Sequence, residues 1–166
     1  MTLLADPPTL QIRPAVRADF DALCALWAEV DDLHRRARPE LFRAPEGPGR
    51  DPAWFERVID WPDSEVLVAQ APDGRIDGLA VLLVRKPSAS GLHASAPFVE
   101  IDNLVVAPGA RRQGVGRALM EAARAWTAAR GLARLELNVY EFNEAAQSFY
   151  EAERFSTLSR RMSLNV

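Results

Sequence analysis

Three stretches of the chain hold groups that could do chemistry. The first is Val105 to Leu119, Val-Val-Ala-Pro-Gly-Ala-Arg-Arg-Gln-Gly-Val-Gly-Arg-Ala-Leu. Beyond Gly114, apolar residues at Val115, Ala118, Leu119, Ala122, Ala123 and Trp126 trace one helical face, so the spacing predicts a helix that starts near Val115 and is stopped by Gly131. Its front is poorly made for stability alone. No Ser, Thr, Asp or Asn stands between Ala107 and Gly114 to cap the free N–H groups, and Arg111 and Arg112 add positive charge where the helix dipole is already positive. An anion would resolve both faults. Arg111, Arg112, Gln113, Gly114, Val115, Gly116 and Arg117 would then form a phosphate cradle of open backbone N–H groups, glycines that do not block approach, and flanking guanidinium groups. The plainer alternative is a strand-to-helix turn with solvated arginines.

The spacing narrows the anion. A nucleotide P-loop needs Gly-Lys-Ser/Thr where this chain has Val115-Gly116-Arg117, and a dinucleotide fingerprint needs a third Gly or Ala where it has Leu119. The second stretch is Phe98-Val99-Glu100-Ile101-Asp102-Asn103-Leu104-Val105-Val106, a buried-looking strand carrying two carboxylates. Period-two alternation puts Glu100 and Asp102 on one face, where two like charges raise one pKa and suit it to proton abstraction; a bulge between them would break the coincidence. Solvated carboxylates at a sheet edge are the competing reading. In the third stretch, Asn143, Ala146 and Tyr150 share a helical face, although Phe149-Tyr150 on spacing alone suits a core aromatic pair.

These groups need a scaffold, and the chain supplies one in order. Leu10 to Arg13 alternates as a strand closed by Pro14, and Phe20, Leu23, Cys24, Trp27 and Val30 trace a helix that runs toward His34. The segment from Pro39 to Gly49 is too punctuated for regular structure, and Asp51-Pro52 opens a second helix carrying Trp54, Phe55 and Val58. Val66 to Ala69 and Gly78 to Val84 form a hairpin around Pro72-Asp73-Gly74; the second strand is apolar enough to be covered on both faces. After a loop from Pro87 to Pro97 come the carboxylate strand, the helix from Val115, and a strand Leu135 to Val139. Asn143 then caps a last helix, and Leu158 to Val166 is expected to form a final strand pair with the segment around Phe155. The pattern is mixed α/β.

Arg111-x-x-Gly114-x-Gly116, following a strand that ends Leu104-Val105-Val106-Ala107-Pro108, resembles the pyrophosphate-binding motif of the GNAT superfamily of acetyl-CoA-dependent N-acetyltransferases. The order of elements from about Leu10 onward is similar to that fold, while specific motif matches run from Phe98 to Phe155. The resemblance implies a mixed, mainly antiparallel twisted sheet flanked by helices on both faces, over one domain of residues 1–166 with residues 1–9 a frayed lead. It further implies acetyl-CoA as cofactor, held through the backbone of Leu104, Val105 and Val106, through the loop from Arg111 to Arg117, and on the far side of the cleft by Asn138, Asn143, Ala146 and Tyr150. The implied activity is acetyl transfer to an amine of a small molecule or peptide by direct attack. An amine resembling Lys, with a pKa of about 10.4, must first lose a proton, for which Glu100 is the leading candidate and Asp102 the second. Tyr150 would protonate the departing thiolate. Where family members commonly have Gly before the residue matching Phe155, this chain has Arg154, a departure at that turn. A non-catalytic acyl-CoA-binding regulatory module is the alternative from a different class.

The whole chain sets the remaining bounds. At 166 residues with 48% apolar composition it can bury a substantial core, and a net charge of −3 does not favour nucleic acid as partner. The single Cys24 has no disulfide partner and reads as a small core residue, so no metal is expected. No apolar run reaches membrane-spanning length and the start lacks a signal-peptide pattern, which points to a cytoplasmic protein with no membrane partner. His34, beside Asp31 and Asp32, is expected at most to line the acceptor site, and the surrounding Arg35, Arg36, Arg38, Arg43 and Arg50 leave the acceptor's charge open. A homodimer through the last strands would leave no distinctive mark.

Overall fold

Alternation and turn chemistry build the sheet first. In the computed structural model, which describes residues 9–45, 49–86 and 96–164, strands β1 (Gln11–Pro14), β2 (Ser64–Gln70), β3 (Ile76–Arg85), β4 (Phe98–Val106) and β5 (Leu135–Leu137) stand in the order β1-β2-β3-β4-β5. The first three pairings are antiparallel and only β4 with β5 is parallel. Helices α1 (Phe20–Ala37), α2 (Pro52–Asp60), α3 (Val115–Ala129) and α4 (Glu144–Ala152) cover it. The expected lead lies almost wholly outside the described residues, as does most of the loop expected from Pro87 to Pro97.

Both faces of the sheet are packed, which is why β3 reads as one apolar run. On one face α1 and α2 bring Leu23, Trp27 and Phe55 against Val66, Val68, Leu79 and Val81; on the other, α3 sets Val115, Leu119, Met120 and Ala123 on Leu67, Ala80, Leu82 and Ile101. Each fully buried large apolar side chain stabilises the fold by about 1.5–3 kcal/mol relative to exposure. Phe149, Tyr150 and Phe155 extend the α3-side core, so α4 belongs to that layer. Half-buried Cys24 sits with the α1 cluster, and burial pushes its thiol up, as suits a packed and unreactive cysteine.

Two expectations change here, both for reasons of pairing. Val81 stands opposite Asn103 and Leu82 opposite Ile101, so Asp102 is an extra residue in β4, a bulge. The strict alternation that would put Glu100 and Asp102 on one face is therefore interrupted at Asp102: Val99 and Ile101 point to the α3 side before the bulge, whereas Val105 points to the α1 side after it. The expected final strand pair is also absent among the described residues. From Ser156 to Leu164 the chain is neither helix nor strand, and the last backbone hydrogen bond is Phe155 N–H to the Tyr150 carbonyl at 2.9 Å.

Candidate active site

The bulge creates the site. β5 accompanies β4 only from Val99 to Ile101 and ends at Leu137, while β4 continues to Val106. Beyond Ile101 the β4 edge that faces β5 thus has no strand partner. Leu104 and Val106 bury their side chains partly in the α3-side core and Val105 on the opposite face, so what they offer the cleft is backbone. A ligand with amide groups can add to such an edge as a strand would.

That edge runs directly into the loop before α3. Ala107 is followed by a single 3-10 turn (Pro108–Ala110), and the chain enters α3 through Arg112 at φ 64° and Gly114 at φ 86°. Gly114 is the N-cap, with no capping side chain; a Cβ there would meet nothing within 4 Å, so its glycine answers to backbone conformation and open space. Among the described residues, none of the N–H groups of Arg112, Gln113, Gly114, Val115, Gly116 and Arg117 finds a protein acceptor; the ladder begins with Ala118 N–H to Gly114 carbonyl at 3.0 Å. Six adjacent N–H groups at the positive end of a helix dipole fit a diphosphate.

The loop's side chains brace it more than they line it. Arg111 Nε donates to the Val106 carbonyl at 3.1 Å, and Gln113 Nε2 donates to the Gly109 carbonyl at 2.8 Å. Arg117 turns toward Glu153, the C-cap of α4, at 3.6 Å, where Arg124 joins it at 2.8 Å, so two cations of α3 hold the end of α4 alongside. Arg112 is exposed and has no ion pair among the described residues. Gly116 permits the close approach of α4: a Cβ there would lie 3.3 Å from the Phe149 ring.

α4 forms the other wall. Asn143 Oδ1 accepts the Ala146 N–H at 3.2 Å, so Asn143 caps its own helix and Ala146 is the capped residue. Tyr150 packs between Phe149 and Phe155, with ring centroids at 5.4 and 5.9 Å. Burial pushes its phenol up to about 12, and no described residue hydrogen-bonds its hydroxyl. The phenol therefore carries its proton at neutral pH.

Glu100 stands on β4 just before the divergence. Asn138 Nδ2 donates to its Oε1 at 3.1 Å, and Arg85 Nε, from the end of β3, donates to Oε2. Asn138 thus spans the fork between β4 and β5. Asp102 is exposed and accepts from Asn103 Nδ2 at 2.6 Å. Glu100, Asn138 and Arg85 are brought together; Asp102 stands apart on the bulge.

The comparisons with known proteins come down on one side. A family model described as the acetyltransferase (GNAT) family matches residues 27–154. The chain belongs to that family. Over 95 residues it is 36% identical to an aminoglycoside N(6')-acetyltransferase type 1 of Klebsiella aerogenes, covering 57% of this chain and 61% of that one, so the match spans less than two thirds of the relative. A crystal structure of a tetramutant of the BH1408 protein of Bacillus halodurans is similar over 94% of this chain and 99% of its own, with 28% identity and a TM-score of 0.89. The aminoglycoside N-acetyltransferase AAC(6')-Iy, solved in complex with CoA, shares the fold at 19% identity and a TM-score of 0.71, over 94% of this chain and 98% of its own. The GNAT fold is thus the observed one: a mixed, mainly antiparallel sheet with helices on both faces.

In this GNAT chain, sequence reasoning missed two features near the fork. Arg85 reaches Glu100 through the β3–β4 register, which no local motif announces. His34 is the centre of an aromatic cluster, with Phe42, Tyr140 and Phe142 at ring-centroid distances of 5.0, 5.2 and 5.4 Å. Its Nδ1 lies 2.7 Å from the Val30 carbonyl, a bond that a protonated Nδ1 makes. The cluster joins the end of α1 to the segment after β5; the aromatic content of Tyr140-Glu141-Phe142 was the one signal available. The charges of this region largely cancel: Arg50 makes a forked pair with Asp31 at 2.9 and 3.1 Å, Arg35 pairs with Asp32, and Arg38 with Glu40. Beside the Asp31–Arg50 pair lies a cavity of about 140 Å³, floored by Trp27 and Cys24.

Proposed function

We propose that this chain is an acetyl-CoA-dependent N-acetyltransferase that transfers acetyl to a primary amine of a small molecule or peptide by direct attack. One observation carries the reading: the free backbone edge of β4 leads from Glu100 straight into the unpaired N–H groups before α3. Leu104, Val105 and Val106 would pair with the amide-bearing arm of the cofactor, and the loop from Arg111 to Arg117 would hold its diphosphate. Acetyl-CoA supplies an activated acetyl thioester. On this reading β4 with the loop would form one wall for the extended cofactor and α4 with Tyr150 the other.

The chain's own groups divide the proton work. An alkylammonium acceptor with a pKa of about 10.4 is almost wholly protonated at neutral pH, so a carboxylate at the attack point has to take up its proton. Glu100 holds that place, its oxygens oriented by Asn138 and Arg85. Asp102, once set on the same face, is displaced by the bulge and stays the second choice. Tyr150 holds a phenolic proton for the departing thiolate. The aromatic cluster around His34 and the cavity beside Asp31 frame the entry for the acceptor; the aminoglycoside-acetylating relative supports a polycationic small amine there. A cytoplasmic location and a single domain over residues 1–166 go with this reading; no described helix is long and apolar enough to cross a membrane.

A thiol-release assay over amino acids, polyamines, aminoglycosides and N-terminal peptides tests it. The expected result is amine-dependent release of free CoA, cut by about 10²–10⁴ in Glu100→Gln and by under tenfold in Asp102→Asn. Tight binding of acetyl-CoA without release for any amine would favour the regulatory module. Equal, full rates in both variants would remove the carboxylate assignment.

A further inference from the structure

Given acetyl transfer at Glu100, as proposed above, we infer that Glu136 is the second carboxylate of the acceptor site, so that the preferred acceptor carries a second ammonium group a short carbon chain away from the amine that is acetylated. Val99, Ile101, Leu135 and Leu137 all pack into the α3-side core. The residues between them, Glu100 on β4 and Glu136 on β5, therefore face the other side of the sheet, where α1 lies. The parallel register sets Glu100 directly opposite Glu136. Adjacent strands stand about 4.8 Å apart, so two carboxylates share one small area at the fork. Alternation along β4 pairs Glu100 with Asp102; register across the sheet supplies Glu136 instead.

Stability alone does not ask for this pair. Like charges directly opposite on neighbouring strands are destabilising, and a face built only to hold together would set a cation across from Glu100. Each glutamate instead draws its counter-ion from a strand end: Arg85, the last residue of β3, donates to Glu100, and Arg134, just before β5, lies with Nε 3.0 Å from Glu136 Oε1. The side chains of Glu100 and Glu136 are 19% and 25% exposed, against 42% and 46% for the two arginines, so the carboxylates are sheltered and the cations that cover them reach solvent. Both guanidinium groups can swing out without breaking a strand ladder. Arg134 also lies over the Phe98 ring at 4.8 Å, a contact that can hold it once it leaves Glu136. An incoming diamine replaces both cations: one nitrogen goes to Glu100 as the reacting amine, and the other stays protonated on Glu136. A monoamine leaves Glu136 to Arg134.

Thiol-release kinetics with propane-1,3-diamine and propylamine, on the wild type and on Glu136→Gln and Arg134→Gln, test the assignment. The wild type should favour the diamine by about tenfold in kcat/KM, and Glu136→Gln should raise KM for the diamine about tenfold with kcat within about threefold, bringing the two amines level. Glu136→Asp, which keeps the charge, should recover part of the preference. Arg134→Gln should lower KM for the diamine, because the competing cation is gone. A glutamate that served only its ion pair with Arg134 would behave otherwise: both Gln variants would lose stability alike, and the preference for the diamine would stand. Calorimetric titration of the diamine into the chain with CoA present needs no turnover and so separates this assignment from the acetyl-transfer reading. If no amine releases thiol, that reading fails, while diamine binding that weakens about tenfold in Glu136→Gln still upholds Glu136 as its seat. Equal diamine affinity in wild type and Glu136→Gln, a wild type without preference for the diamine, or a raised KM in Arg134→Gln would each overturn the inference.

Discussion

At the front of α2, Asp51 lies in extended backbone and its carboxylate accepts the Ala53 N–H at 2.9 Å; at the front of α3, Gly114 lies at φ 86° and no described side chain meets the N–H groups behind it. Asn143 caps α4, while α1 carries no side-chain cap and is entered through the 3-10 turn Arg17–Asp19, in which the Asp19 carboxylate takes the Val16 N–H at 2.8 Å and two Arg13 N–H groups at 2.8 and 2.9 Å. Two of the three other helices thus carry a side-chain cap, and the third continues a 3-10 turn whose own first N–H is capped, whereas α3 starts from a left-handed glycine with neither. A missing cap forgoes about 1 kcal/mol, and at α3 this coincides with the end of the one unpaired strand edge in the interior of the sheet. On the proposed function, the difference is that of an entrance kept open for a ligand.

The strongest way to break that comparison is to close α3 artificially. Gly114→Asp introduces a residue that tolerates a left-handed backbone, meets open space, and brings a carboxylate to the N–H groups. We expect the affinity for acetyl-CoA to fall about 100-fold, some 2.7 kcal/mol, with the melting temperature unchanged or higher. Calorimetric titration alongside thermal unfolding checks both halves, and undiminished binding would refute the cradle. The reverse experiment opens the entrance to α1. Asp19→Asn should cost about 2 kcal/mol in urea unfolding at pH 7 while sparing acetyl-CoA affinity, since it strips the charge from a buried, forked pair. The hydrogen bond from Arg13 holds the Asp19 carboxyl below its ordinary range, against the opposing effect of burial. Its contribution is thus complete above an unfolded-state pKa of about 3.9 and disappears as pH falls through the lower folded-state value, so the variant's deficit should shrink below about pH 4. Smaller again is Asp51→Ala, expected to cost about 1 kcal/mol of stability and nothing in binding.

Helix entrances were legible because their chemistry is local: Asp51-Pro52, Asn143, and the uncapped run before Val115 can each be read within a few residues, and the apolar spacing behind them fixes the buried face. The features that shape the cleft are settled between strands and leave no such trace. Nothing about Ile101-Asp102-Asn103 says that β3 will skip Asp102, yet that skip separates two carboxylates that alternation puts together. The same skip is followed by the parting of β4 from β5, which leaves Val139 exposed where a longer strand was expected. Arg85 and Glu100, and His34 with Tyr140, meet through tertiary geometry across long sequence separations. The segment from Ser156 to Leu164 shows the complement of this: its alternation suggests a strand, but a strand pattern does not supply a neighbouring edge, and the described residues there form none.

The helix exits sharpen the comparison from the other end, with the smallest effect. α3 is followed by Gly131 at φ 69°, whereas α4 is followed by Arg154 at φ 67°, a left-handed position that favours glycine. A side chain in the left-handed region costs about 1–2 kcal/mol, against about 0.5–1 kcal/mol of extra unfolded-state freedom that a glycine brings. Arg154→Gly should accordingly raise stability by about 0.5 kcal/mol, and Gly131→Ala should lower it by about 1 kcal/mol, both read as urea midpoints at constant m-value. Neither touches the front of α3, so acetyl-CoA affinity should be unaffected. If Arg154→Gly instead destabilises the protein, the Arg154 side chain has a task beyond the turn, and Arg154→Lys and Arg154→Ala compared by urea unfolding would show whether that task rests on its charge or on its aliphatic stem.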